Sequence, residues 1–241
     1  MDDRFSRSAM LIGEDGLYRL SGCHVAVFGI GGVGGYAAEA LARSGIGALD
    51  LIDGDSVAQS NLNRQIIALE SSLGQNKAEL MAQRARLINP QVHANALPLF
   101  YTAQTADSFD LSKYDYILDC VDMVTAKVQL ALHARRAGVP LITALGAGNK
   151  LDPAQLEVAD LQNTSMCPLA RALRKLLRPH GIEHLKVVYS QEQPRKPTAN
   201  HAEESATSRR GLPGSMVFVP AAMGLMMAAE VVKDLLEQPV S

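Results

Sequence analysis

Arg64, Lys77 and Asp122 have the clearest capacity for chemistry, and a glycine run, Gly29-Ile30-Gly31-Gly32-Val33-Gly34, lies upstream of them. Two cations and a carboxylate behind such a run suit a polyphosphate. Arg forks onto phosphate oxygens, Lys supplies a point charge, and a carboxylate offers hard oxygens to Mg²⁺. Within the G-x-G-x-x-G, Gly29 permits a tight turn and Gly31 lets backbone approach a phosphate. Gly34 lets a helix pack close to a sheet. Asp53 follows Gly34 by nineteen residues, where a carboxylate can accept hydrogen bonds from ribose hydroxyls.

The order of elements makes this more than a bare pattern. His24 to Phe28 is a short apolar run that predicts a strand. Tyr36 to Ser44 predicts a helix, with Ala37, Ala40 and Leu41 at helical spacing, and Ala48 to Ile52 predicts a second strand ending at Asp53. The helix N-terminus then presents free N–H groups to an anion. Behind the acid runs Asp53-Gly54-Asp55-Ser56-Val57 and then Ser60-Asn61-Leu62-Asn63-Arg64-Gln65. A nicotinamide site has no need of Asn-x-x-Arg-Gln there, whereas a triphosphate site uses the Arg fork and an Asn that caps or orients its loop.

Ser72 to Lys77 opens a helix reaching about Ile88, and Asn89-Pro90 ends it. Lys77 falls in the first turn, against the helix dipole, a position that a bound polyphosphate compensates. Val92 to Leu97 predicts a third strand, and Thr102 to Ser112 a polar connection. Tyr114 to Cys120 predicts a buried strand. Asp122 lies just past that strand's carboxyl end, where open parallel sheets bind ligands. Asp119, inside the strand, is a competing carboxylate suited to local pairing. A helix with Ala126, Leu130 and Ala134 on one face follows, then a strand from Val139 to Thr143 and a flexible glycine-rich turn at Gly146 to Asn149.

Residues 167 to 181 predict an amphipathic helix, with Leu169, Leu173, Leu176 and Leu177 on one face and Arg171, Arg174, Lys175 and Arg178 on the other. Four cations on one face could position an RNA backbone. The polar stretch 191 to 212 reads as a loop ordered by substrate, and Val219 to Leu236 as a core or subunit-interface helix. The uncharged run Met216 to Ala229, broken by Pro220 and Gly224, is too short to span a bilayer, which needs about 20 residues.

The 241-residue chain is 47% apolar, enough for one sizeable core, and its net charge of −2 carries no global nucleic-acid signature. Cys23, Cys120 and Cys167 form no C-x-x-C pair, so there is no zinc framework. Three separated cysteines and a polar N-terminus suit a reducing cytoplasm.

GIGGVG, LIDGDSV and SNLNRQ together resemble the HesA/MoeB/ThiF adenylating family, which includes the molybdopterin-synthase and thiamine sulfur-carrier activating enzymes and the ubiquitin-activating enzymes. Gly146 to Pro153, GAGNKLDP, is most similar to the branch that works on tRNA, the threonylcarbamoyladenosine dehydratases. Val187 to Ser190, Glu192-x-Pro194 and Pro213-Gly214-Ser215 agree with that branch. The resemblance implies a single adenylation domain over 1–241, an α/β Rossmann-like open sheet with an ATP crevice. Its nucleotide core covers 24–150, and a smaller substrate and dimer section covers 151–241. It implies ATP contacts at Gly29, Gly31, Gly32, Gly34, Asp53, Asp55, Ser60, Asn61, Arg64, Gln65 and Lys77, with Mg²⁺ on Asp122. In the family the second Arg of R-[FY]-x-R, here Arg7, reaches the ATP of the neighbouring subunit of a homodimer.

The implied reaction adenylates the threonylcarbamoyl carboxylate of a modified adenosine in tRNA and then cyclises it with loss of water. A monovalent cation at the 146–149 turn and a sulfur-transfer partner are further implied possibilities. Cys167 is the one candidate nucleophile of the second half, while Cys23 and Cys120 read as packed residues. Other readings are an activating enzyme for a ubiquitin-like sulfur carrier, an NAD-type or flavin oxidoreductase, and a nucleotide-sensing scaffold. The missing C-x-x-C weighs against the first, and SNLNRQ against the second.

Overall fold

The computed structural model describes residues 3–196 and 213–237. Seven strands form one sheet: β1 (His24–Phe28), β2 (Ala48–Ile52), β3 (His93–Leu97), β4 (Tyr116–Asp119), β5 (Leu141–Ala144), β6 (Leu156–Asp160) and β7 (Lys186–Ser190). Their spatial order is β3-β2-β1-β4-β5-β7-β6, parallel throughout except for β6, which runs antiparallel to β7. The helices are α1 (Ser6–Ser21), α2 (Gly34–Arg43), α3 (Lys77–Ile88), α4 (Val124–Ala137), α5 (Pro168–Leu177) and α6 (Phe218–Glu237).

Alternation along the strands sets the layers. Val25 and Val27 of β1 join the core beneath α2, α3 and α6, while Ala26 and Phe28 join the one beneath α4. Each side chain points to the face opposite its neighbour's, and both faces are covered, so the strands read as apolar runs. At the top of β1, Phe28 packs against Tyr101 and Phe109 with ring centroids 5.1 and 5.5 Å away, which anchors the point where the glycine turn leaves the sheet.

Several elements differ from expectation. The polar-looking N-terminus forms α1, interrupted at Gly13 by a left-handed φ of 75°. Helix α2 begins at Gly34 rather than Tyr36, its first turn closed by the Gly35 N–H on the Gly31 carbonyl and the Ala37 N–H on the Val33 carbonyl. The predicted strands 92–97, 114–120 and 139–143 are shifted or trimmed at their ends to β3, β4 and β5. Strand β6 was not expected at all, since its residues are only half-buried. Because β7 pairs with β5, the sheet runs through both the 24–150 and the 151–241 portions. Pro220 and Gly224 do not break α6. Pro220 sits in its first turn, where no helical N–H is needed, and Gly224 lies against the Val33 carbonyl oxygen, letting α6 pack closely on α2. No helix of the described residues is long and apolar enough to cross a membrane. Of the polar stretch 191–212, residues 197–212 lie outside the described part.

Asp50 is a buried carboxylate in β2, only 1% exposed. Burial alone would raise its pKa. Hydrogen bonds from Tyr114 Oη at 2.7 Å, Lys113 Nζ at 2.9 Å and Asn95 Nδ2 at 2.8 Å, with His24 Nε2 at 3.0 Å, outweigh burial and hold it at about 2. A carboxyl depressed on folding contributes stability that is present above its unfolded pKa of roughly 4 and lost as pH falls through the folded value. We expect the melting temperature to fall between pH 4 and about 2, and Asp50→Asn to flatten that limb while lowering stability at pH 7. An acid limb equally steep in Asp50→Asn would contradict this.

Candidate nucleotide site

The sheet reverses its winding direction between β1 and β4, since β2 and β3 lie to one side of β1 and β4 and β5 to the other. Crevices for ligands open at such a switch point, beyond the carboxyl ends of the strands. The Gly29–Gly34 turn fills it. Gly29 adopts a φ of 88°, and its N–H donates to the Ile52 carbonyl at 2.8 Å. A Cβ at Gly29 would stand 2.7 Å from the Cys120 carbonyl oxygen, so the turn lies directly against the end of β4. A Cβ at Gly34 would overlap the Gly29 carbonyl oxygen. Gly31 is different: the nearest atom to a Cβ there is Gln65 Nε2 at 3.8 Å. Its missing side chain serves no packing need, which leaves space for a ligand.

The SNLNRQ segment lies over this turn. Arg64 Cγ stands 3.5 Å from a Cβ position at Gly32. The Arg64 Nη1 donates to the Ser60 carbonyl at 2.7 Å and to Asn63 Oδ1 at 2.9 Å. Asn61 Oδ1 accepts from the Ala58 N–H at 3.1 Å and so caps the segment, the role its residue type suggests. Ser60 is exposed on the same turn. The Gln65 side chain is buried, and its Oε1 lacks a partner among the described residues. A buried amide oxygen is costly to leave unpaired, so this atom marks a place for a ligand donor or a water.

Asp53 anchors the other wall. Its Oδ2 accepts from the Ile30 N–H at 2.6 Å and its Oδ1 from the Asp55 N–H at 2.8 Å. Burial raises its pKa, and these two backbone donors only partly offset the rise. A carboxylate has about four acceptor sites, so capacity for ribose hydroxyls remains. Asn76 caps α3 by accepting from the Glu79 N–H at 3.1 Å, and donates to the Asp53 and Asp55 carbonyls at 3.2 Å. Lys77 thereby enters the site from the first residue of α3. It is 5% exposed, with Nζ 3.0 Å from the half-exposed Asp55 carboxylate. Asp122 is exposed in the loop after β4. Asp119 does pair locally: it is fully buried, 3.1 Å from Lys127 Nζ in α4, which fixes that loop from beneath. Burial raises its pKa and the Lys127 charge opposes the rise.

Two groups of residues stand apart. Phe5 packs beside Gly45, near the amino end of β2. Exposed Arg7, two residues on, is therefore on the far side of strands roughly 17 Å long from its own crevice. The basic helix is shorter than expected. Arg171 and Lys175 are exposed on α5, and Arg178 is exposed in the 3₁₀ turn after it. Arg174 does not share their face: its Nη1 donates to the Leu161 carbonyl at 2.8 Å and to Thr164, tying α5 to the end of β6. Leu176, expected in the apolar face, is 44% exposed, because Ala170 takes its place with Leu173 and Leu177. Cys167 is 6% exposed at the N-cap of α5, so its thiol is not presented to a partner. Cys23 and Cys120 are partly buried, and burial raises both thiol pKa values, which makes them poor nucleophiles.

The turn at 146–149 is held rather than loose. Buried Lys150 donates from Nζ to the Gly146 carbonyl at 3.1 Å and the Ser190 carbonyl at 3.2 Å, and desolvation lowers its pKa. The positive charge at this turn is thus a side chain of the protein. Sequence reasoning missed Lys150, Lys127 and Asn63, whose partners are all remote in sequence or orientation-dependent.

A glycine turn at a switch point, walled by a buried carboxylate, an Arg and a helix-N-terminal Lys, defines a nucleotide-binding open-sheet protein of the adenylating kind. The chain matches the ThiF family over residues 5–241 and belongs to that family. It is 41% identical to a Bacillus subtilis tRNA threonylcarbamoyladenosine dehydratase, over 97% of this chain and 95% of the relative. The Escherichia coli enzyme of that name is 45% identical over 73% of this chain and 65% of its own length. The crystal structures of E. coli TcdA with AMP and with ATP superpose with TM-scores of 0.88 and 0.87, at 37% identity. Each covers 97% of this chain, and 94% and 93% of theirs.

The glycines separate fold from ligand. Gly34→Ala should lower the melting temperature sharply through backbone overlap. Gly31→Ala should melt as the unmodified chain does while weakening triphosphate binding about tenfold or more, equivalent to about 1.4 kcal/mol. Calorimetric titration and thermal melts check both, and a Gly31→Ala variant with unchanged triphosphate affinity would contradict the placement.

Proposed function

We propose that this chain is an ATP-dependent tRNA threonylcarbamoyladenosine dehydratase. The observation that carries the nucleotide half is the uncrowded Gly31, whose nearest neighbour is the Gln65 side chain, in a glycine turn seated against the carboxyl end of β4. The identity of the acyl substrate is supported by the near full-length similarity to dehydratases of that name.

The substrate carboxylate oxygen attacks the α-phosphorus of ATP. The bond to the bridging oxygen breaks and pyrophosphate leaves. An internal nucleophile of the threonylcarbamoyl group then attacks the acyl carbon, and AMP departs with the carboxylate oxygen, so the net loss is one water. Arg64 and Lys77 face the charge that develops on the leaving pyrophosphate, and Asp53 holds the ribose. Mg²⁺ on Asp122 would supply further neutralisation of the phosphates, in keeping with its usual one or two carboxylate ligands. Positioning and preorganised charge account for most of the rate in such chemistry. Lys150 Nζ serves where a free monovalent cation would otherwise sit. The exposed stripe Arg171, Lys175 and Arg178, at i, i+4 and i+7, follows one strand of the tRNA backbone. The setting is the cytoplasm, where ATP and tRNA meet.

Arg7 serves the crevice of a second copy in a homodimer. Its place at the far side of its own sheet, and the 83% and 88% exposure of Met10 and Leu11 on α1, support this reading.

Arg64→Ala or Asp122→Ala should keep the fold and lower tRNA-dependent ATP–pyrophosphate exchange by 100-fold or more, about the loss seen when an electrostatic group at a developing charge is removed. Near wild-type exchange in either would sink the assignment. Arg7→Ala and Lys77→Ala homodimers should each be inactive, while mixed dimers should regain exchange, because one of their two sites has both residues intact. Mixtures as inactive as the parents would place Arg7 elsewhere.

A further inference from the structure

Asn63 is not an adenylation residue by its type, yet it joins two distant parts of the chain. Its Oδ1 accepts from Arg64 Nη1 at 2.9 Å, and its Nδ2 donates to the Ser215 carbonyl at 2.9 Å. The amide orientation is fixed by these two partners, one a donor and one an acceptor. Ser215 directly follows Gly214, whose N–H donates to Asn149 Oδ1 at 2.7 Å, while the Asn149 N–H donates to the Gly214 carbonyl at 2.7 Å. Asn149 adopts a φ of 60°, a left-handed conformation that Asn tolerates better than most residues. Its carbonyl also accepts from the Arg195 N–H at 2.8 Å. Asn149, in the turn after β5, therefore clasps both the segment that leaves β7 and the segment that leads into α6. Lys150, next in sequence, pins the same turn to the Ser190 carbonyl.

We propose that Asn63 is a positioning residue. It sets the Arg64 guanidinium over the glycine turn and links it, through Ser215, to the Asn149 clasp, so the C-terminal section tunes the phosphate site. The inference rests on the ATP reading above. Nη1 is occupied by Ser60 and Asn63, and among the described residues the other guanidinium N–H groups have no protein acceptor, which leaves them for the β- and γ-phosphates. A residue acting in this way affects ATP more than AMP, because AMP lacks those phosphates.

The test compares Asn63→Ala, Asn149→Gly and the double variant, with Arg64→Ala as reference, by calorimetric titration of the full chain with ATP and with AMP. Asn149→Gly keeps the left-handed backbone and its N–H bond to Gly214 while deleting the Oδ1 bond. Asn63→Ala should weaken ATP about tenfold and AMP less than twofold, in the direction of Arg64→Ala, and Asn149→Gly should show the same ATP-selective loss more mildly. The double variant should bind no worse than Asn63→Ala alone, since contacts in one network are non-additive. Unchanged ATP affinity in Asn63→Ala, or equal losses for ATP and AMP, would overturn the positioning role. Losses that multiply in the double variant would overturn the link to Asn149. Failure of the unmodified, folded chain to bind ATP would instead overturn the ATP reading, and this inference with it.

Discussion

The site depends on one steric constraint: backbone meets backbone where β1 turns into α2. A Cβ at Gly34 would overlap the Gly29 carbonyl oxygen, and one at Gly29 would press on Cys120 and Val121. Gly224 of α6 lies against Val33 from the other side. The first turn of α2 is thus wedged between the ends of β1 and β4 and the helix α6. Its position at the mouth of the crevice is thereby fixed. Everything charged in the site is built around that fixed point, with Arg64 beside Gly32 and the Asp53 carboxylate on the Ile30 N–H.

Placing the charges has an energetic cost that the surroundings offset. Lys77 is almost fully buried at a helix N-terminus, where the dipole disfavours it, and Asp55 compensates at 3.0 Å. Because Asp55 is about half exposed, that pair can loosen when a stronger anion arrives. Asp119 and Lys127 contrast with them. Their pair is buried on both sides, so it acts as a fixed joint between β4 and α4 that orients the Asp122 loop. Removing one partner would strand the other charge, which is far more damaging than removing both.

Much of this was legible in the sequence because it is local. The strand, glycine turn, helix and acid occupy consecutive residues, and their periodicities are short. Asn61 as a loop cap and Lys77 at the start of α3 follow from spacing alone. What escaped depends on partners outside an element's own periodicity. The helical wheel placed Arg174 with three exposed cations, but Leu161 and Thr164 draw it inward. Strand β6 has no buried run to announce it and forms because β7 offers an edge. Asn63 gains its second bond only from Ser215, 152 residues away.

The most direct test of the central claim is mass spectrometry of nucleosides from tRNA that carries threonylcarbamoyladenosine, incubated with this chain and ATP. The expected result is loss of one water from that nucleoside alone, with AMP and pyrophosphate formed in equal amounts and no reaction in the Arg64→Ala variant. ATP turnover with the nucleoside unchanged, or dehydration without ATP, would contradict it.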